Sequence, residues 1–165
     1  MESPEVNVSK SPGQSLTIMT LLMGVERANS AGFVHGGEIM KLVDTAAGVT
    51  GMKHTRGRVV TAHVDSLSFH APVHIGDLVS LTSIVTQVWR TSMEVEVSVT
   101  REDPRSGEGE LTTTAYLTMV CVNEQGTPIP VPQIETLSEV ERRRQHQADA
   151  RRQSRFELKS HLEKT

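Results

Sequence analysis

The segment that most restricts the fold runs from Gly36 to Lys53. Apolar side chains stand at positions 39, 40, 42, 43, 46, 47 and 49, spread over most of a helical circumference. A helix that is apolar on nearly every side belongs in a protein interior. Glu38 near its start and Lys53 and His54 near its end complement the helix dipole. Small side chains at Ala46, Ala47 and Gly48 would let another backbone come close. On either side the pattern becomes that of strands: Leu16 to Met23 before the helix, then 59–70, the long β-branched run 79–100, and 111–122. Period-two alternation is clearest at Met93-Glu94-Val95-Glu96-Val97-Ser98-Val99. Turn residues punctuate these runs at Pro72 and Gly76-Asp77, from Asp103 to Gly109, and from Asn123 to Gly126. One buried helix among four to six antiparallel strands is an α+β plan.

A length of 165 residues suits one domain. Three regions separate by composition: a polar stretch, 1–14, expected to be disordered; a core, 15–134, holding nearly all the apolar content; and a charged tail, 135–165, beginning past Val131-Pro132. The tail is rich in helix formers and reads as a solvated helix, with an intersubunit clamp or a phosphate contact as its other possible uses. A hydrophobic content of 36% with 3% aromatics is low for a monomer of this size and hints at a core completed by a partner subunit. Net charge is −3, so no global basic field recruits nucleic acid or an anionic membrane. The single cysteine, Cys121, excludes a disulfide within the chain and a thiolate zinc cluster, which fits a reducing compartment. The first residues lack the apolar run of a secretory signal, and no segment approaches the roughly 20 apolar residues of a membrane span. A cytoplasmic protein is the expectation.

Chemistry concentrates between Asn29 and Asp44. A carboxylate within an apolar helix is costly unless it is paired or used. Asp44 is therefore either a salt-bridge partner, for instance of Arg58 or Arg90, or a working group. Gly36-Gly37 at the helix start leaves backbone N–H groups unsatisfied and, without side chains, open to a substrate carbonyl. A thioester carbonyl on the Gly37 N–H would have its developing oxyanion stabilised there. Asp44 would act as general base for water, or as nucleophile, and Asn29 could hydrogen-bond the water or the thioester oxygen. A leaving thiolate, with a pKa on the order of 8.5, requires little acid catalysis. Gly37 and Asp44 share a helix face but lie about 10.5 Å apart along it. If both act on one carbonyl, Asp44 comes from a second subunit, and a two-fold dimer carries two shared sites.

The stretches Asn29 through Asp44, Val59-Val60-Thr61-Ala62, Phe69-His70-Ala71-Pro72-Val73-His74-Ile75-Gly76-Asp77 and Arg90-Thr91-Ser92-Met93-Glu94-Val95-Glu96-Val97 resemble the hotdog-fold acyl-CoA hydrolases, above all the bacterial YciA-type and vertebrate cytosolic (brain-type) enzymes. The resemblance covers roughly residues 15–134. It implies a hotdog fold, a long helix wrapped by an antiparallel sheet, and hydrolysis of fatty acyl-CoA to free fatty acid and CoA with no cofactor beyond the substrate's own coenzyme A. It further implies a homodimer with a continuous sheet, commonly a trimer of dimers, with Asn29 and Asp44 as a catalytic pair contributed by different subunits. Thr91 and Ser92 fall on the strand stretch that lines the CoA channel in this family, with Arg58 and Arg90 as candidates for the CoA phosphates. Many bacterial relatives carry an aromatic residue where Glu38 stands here, so acyl-chain preference does not carry over.

His35 precedes the glycines and could order the loop or touch substrate. His63, His70 and His74 show no ligand spacing, and no metal is expected. Trp89 reads as core or channel wall, and Cys121 as a buried thiol. The rival readings are a hotdog hydratase or dehydratase, which would pair His35 with Asp44 for proton transfer, and a non-catalytic acyl-CoA-binding protein.

Overall fold

The computed structural model describes residues 9–163. Strands β1 (Thr17–Leu22), β2 (Arg58–Phe69), β3 (Leu78–Val88), β4 (Ser92–Glu102) and β5 (Gly109–Val122) form one antiparallel sheet in the order β1-β3-β4-β5-β2. Helix α1 (Gly36–Thr55) lies against one face, and α2 (Glu139–Leu162) against the other. Strand alternation separates the two faces. Met93, Val95, Val97 and Val99 of β4, with Leu117 and Met119 of β5, join Ile39, Val43, Ala46 and Ala47 of α1 in the core. The intervening Glu94 and Glu96 face α2. The α+β plan of a long helix held by an antiparallel sheet is the one expected.

Four details differ from the sequence reading. The run 79–100 is two strands, because the chain reverses at Trp89-Arg90-Thr91, where Trp89 N–H donates to Ser92 O at 2.8 Å. This reversal contains neither glycine nor proline, the usual punctuation. Residues 1–8 lie outside the described residues, but residues 9–14, expected to be disordered, are held. Lys10 N–H donates to Gln133 O, Glu135 N–H donates back to Lys10 O, and Ser11 opens a 3₁₀ turn over Pro12–Ser15 with a capping box. Helix α1 is not buried all round, since Gly37, Met40, Lys41, Asp44, Thr45 and Met52 form an exposed stripe at helical spacing. Ala46 and Ala47 do face the sheet, whereas a side chain at Gly48 would meet nothing within 4 Å, and the close approach is at Gly51, against Val59. Finally, α2 is docked rather than solvated. Arg151 binds the buried Glu94 through Nε and Nη2, at 3.0 and 2.7 Å, and Arg155 binds Asp65.

Strand β2 pairs with β5, and no described strand lies on its other side. This open edge runs beside the exposed stripe of α1. Among the described residues no helix is long and apolar enough to cross a membrane.

The end of α1 is tied down by His54, which is fully buried. Its Nε2 lies 3.0 Å from Pro132 O, a group that can only accept, so Nε2 carries the proton. Nδ1 therefore accepts from Ser15 Oγ, also at 3.0 Å. One neutral ring thus joins α1, the 3₁₀ turn and the strap before α2. Burial, reinforced by the Lys10 ammonium, lowers the His54 pKa despite the opposing pull of the Pro132 carbonyl. The unfolded chain binds this proton near pH 6.5, while the folded chain resists it until lower pH. Its contribution is full above about pH 6.5 and falls as the pH drops below that value. Thermal unfolding from pH 8 to 5 should show a declining midpoint in the acid range. In His54→Asn the midpoint should be lower at pH 8 but the acid decline shallower. An equal decline in both proteins would exclude His54 as its source.

Candidate functional site

Helix α1 begins immediately after a loop that carries two of the expected groups. Asn29 Oδ1 accepts from the N–H groups of Ala31 (2.9 Å) and Phe33 (3.1 Å), a local turn that fixes the carboxamide. With Oδ1 taken, what Asn29 has left to offer is its Nδ2 amide, a donor. The loop is pinned by Val34 N–H to Val73 O and His35 N–H to Arg27 O, and Arg27 Nη1 reaches Glu38 Oε2 in the first turn of α1 at 2.8 Å.

His35 is the N-cap, and its Nδ1 accepts from Gly37 N–H at 2.9 Å. The expectation that Gly37 N–H stands open is therefore corrected, because the helix caps it with the preceding side chain. No described residue accepts from the neighbouring Gly36 N–H. Gly36 borders a cleft of about 350 Å³ lined by Val34, Ile39, Phe69, Pro72 and Val73. A Cβ at Gly36 would sit 3.4 Å from Phe69 Cζ, an ordinary contact, and the glycine leaves this part of the wall without a side chain.

Asp44 lies on the exposed stripe of α1, not in the core. The desolvation argument that singled it out does not hold within one chain, and neither Arg58 nor Arg90 pairs with it among the described residues. Its partner is Thr61 on β2, whose Oγ1 donates to Asp44 Oδ1 at 2.5 Å. The sequence pattern assigns Thr61 no role, since only the packing of β2 against the middle of α1 brings it to Asp44. The second carboxylate oxygen, Oδ2, points to no described donor.

Arg58 and Arg90 are both exposed and lie at one end of the sheet, with β4 and β5 between them. Arg58 pairs with Val122, and Cys121 N–H donates to Thr91 O at 3.0 Å. Thr91 is half-buried, but Ser92 is only 8% exposed and sits on the α2 side, so it does not line an open channel of this chain. Trp89 serves α2 instead of a channel wall, with Nε1 donating to Asp149 Oδ1 at 3.0 Å and the Arg152 guanidinium 4.3 Å above its ring. Cys121 is buried, and burial raises its pKa. No group of three or more potential metal ligands occurs among the described residues.

Residues 31–108 match the model of the thioesterase superfamily. Over 134 residues the chain is 37% identical to the acyl-CoA thioester hydrolase YkhA of Bacillus subtilis, covering 81% of this chain and 76% of YkhA. It is 36% identical to the cytosolic acyl coenzyme A thioester hydrolase of Rattus norvegicus over 74% of this chain, but spans only 33% of that longer protein. Among solved structures, an apo-hexameric acyl-CoA thioesterase superposes with a TM-score of 0.88 at 41% identity, covering 91% of this chain and 96% of its own. An acyl-CoA hydrolase of Staphylococcus aureus, in complex with butyryl coenzyme A and coenzyme A, gives 0.86 at 28% identity over 95% and 96%. Alanine variants of that enzyme replace an asparagine, an aspartate and a threonine, successively 15 and 17 residues apart. Asn29, Asp44 and Thr61 have the same two offsets.

The His35 cap can be tested by itself. His35→Ala should lower the urea midpoint at unchanged slope, by about 1 kcal/mol of stability, the ordinary loss on removing an N-cap. An unchanged midpoint would mean that the ring contributes nothing to the helix start.

Proposed function

This chain belongs to the acyl-CoA thioester hydrolases of the thioesterase superfamily, and from that premise we propose how its residues hydrolyse an acyl-CoA to a carboxylic acid and CoA within a hotdog fold. The observation that carries the reading is the Asp44 carboxylate, exposed, oriented by Thr61 and facing the open edge of β2. A second copy adding its β2 antiparallel to this edge continues the five-stranded sheet and sets the exposed stripes of the two α1 helices against each other. The partner's Asp44 then approaches Gly36 and Gly37 of this chain. Three such pairs would make a hexamer, a reading supported by the hexameric thioesterase that this chain resembles.

In each shared site the thioester oxygen accepts from Asn29 Nδ2 and from the backbone N–H of Gly36. The partner's Asp44 takes a proton from water through Oδ2, while Thr61 holds Oδ1. The water oxygen attacks the carbonyl carbon, and the C=O electron pair moves onto the oxygen, where these donors stabilise it. As the carbonyl re-forms, the C–S bond breaks and the CoA thiolate leaves, taking up the proton from Asp44. Arg58 and Arg90 mark the end of the sheet toward which the CoA phosphates extend, and the apolar cleft beside Gly36 lies toward the acyl group. No cofactor enters the scheme. The cytosolic name of the rat relative agrees with a cytoplasmic setting.

Thiol release from a panel of acyl-CoAs should fall at least about 10²-fold in Asp44→Asn, as for loss of a general base. In Thr61→Val it should fall about tenfold or more, as for a lost hydrogen bond to a charged group. Full activity of Asp44→Asn would end the assignment. Mixing inactive Asn29→Ala and Asp44→Asn subunits should restore partial activity, and no recovery after verified subunit exchange would exclude the shared site. A single turnover in ¹⁸O-water should label the released acid; label confined to Asp44 would make it the nucleophile.

A further inference from the structure

Helix α2 is longer than the sheet beneath it. Apart from Arg144, whose Nε lies 3.6 Å from Glu96 Oε2 on β4, its anchors cross the strands in order. Gln145 and Asp149 hold Gln87 at the end of β3, Arg151 holds Glu94 on β4, and Arg155 reaches Thr118 on β5 and Asp65 on β2. Residues 145 to 155 rise about 15 Å, close to the three interstrand steps of about 4.8 Å from β3 to β2. The helix therefore crosses from β3 toward β2, and the Arg155 side chain reaches the strand whose far edge is unpaired among the described residues. Residues 156–162 remain helical and continue roughly 10 Å in the same direction, where no described strand lies. Phe156, Leu158 and Leu162 in this overhang are 48%, 60% and 65% exposed.

Beneath the same edge a groove of about 650 Å³ runs between α2 and β2, bordered by His63, Ser66, Tyr116, Ser154 and Leu158. Its two arginines are committed, Arg151 to Glu94 and Arg155 to Asp65. The groove therefore offers apolar and hydroxyl surface rather than an anion site. A second copy paired along β2 would put two more strands, its own β2 and β5, under a 10 Å overhang, at about 4.8 Å each.

We propose that the last two turns of α2 are a clasp, docking on the outer sheet face and α2 of a second copy of this chain, so that each subunit holds its partner across the two-fold axis. This rests on the two-subunit site described above, and adds to it an interface on the opposite face of the sheet from α1. The charges suit a self-complementary contact. Glu157 and Lys159 flank Leu158, with exposed local partners one turn away in Gln153 and Glu163, and two helices related by a two-fold axis run antiparallel, which brings Lys159 of the partner subunit within reach of Glu157 as well. The anchors at 145–155 orient the helix, and the exposed apolar side chains beyond them make the contact.

The test compares the full chain with two variants: one ending after Arg155, which keeps every anchor to the sheet, and Leu158→Asp/Leu162→Asp, which keeps the helix length. Exchange between tagged and untagged subunits is followed by native mass spectrometry, with circular dichroism as the check of folding. Both variants should stay folded, and their subunits should exchange at least about tenfold faster than those of the full chain, the effect expected when exposed apolar anchors leave an interface. Unchanged exchange in both variants, alongside recovery of activity in the Asn29→Ala and Asp44→Asn mixture, would overturn the clasp and leave the shared site standing. A full chain that runs as a monomer would overturn both.

Discussion

Gly36, whose N–H is uncapped among the described residues, and Asp44 are eight residues apart on one unbroken helix, so about 12 Å of axial rise separates them whatever packs around it. No side-chain rotation closes that distance on a single carbonyl carbon. The other features of the site accord with this constraint. Asp44 faces out of its own chain, and the stripe it shares with Met40, Thr45 and Met52 is left uncovered. Among the described residues, strand β2 beside it keeps one edge unpaired. An exposed, unpaired strand edge is ordinarily a hazard that proteins blunt. Here it borders the very helix face that a second subunit would have to approach.

The parts of the fold that were legible from sequence are those written in local periodicity. Helix α1 and the alternation of β4 appear as patterns within a window of a few residues, and the observed elements follow them closely. Glycine and proline marked the breaks at Pro72, Gly76 and Gly126, each near an observed turn. The reversal at Trp89-Arg90-Thr91 was missed because it uses none of these residues; Trp89 and Arg90 are chosen for other contacts, the indole for Asp149 and the Arg90 carbonyl for Val131 N–H.

For the candidate site, the sequence pointed to residues, and the structure changes the physical reason for considering them. Asp44 was singled out as a carboxylate expected to be buried, yet it is exposed, and its significance comes from what orients it. That partner, Thr61, is 17 residues away on a strand whose register carries bulges near residues 61–66, and no spacing rule predicts such a contact. The role of α2 was invisible for a related reason. Its residues look solvated because they are charged, but their partners, Glu94 and Asp65, lie 57 and 90 residues away. A buried carboxylate left without its arginine would be strongly unfavourable. The tail therefore answers a feature of β4 that alternation alone reads as an ordinary outward-facing glutamate.

The contacts around Asp44 accord with hydrolysis more than with its nearest chemical rival. Hydration or dehydration of an acyl-thioester moves protons to and from carbon, and a histidine facing a carboxylate would serve that purpose. His35 is the histidine nearest the helix start, and its Nδ1 is occupied as the acceptor for Gly37 N–H at 2.9 Å. The group that meets Asp44 is instead the Thr61 hydroxyl, which donates to the carboxylate. A hydroxyl donor steadies the anion and aims its free oxygen; it does not relay protons to carbon. Thioester hydrolysis needs little more than that, because an aimed carboxylate can take a proton from water and the thiolate leaves without help from a strong acid.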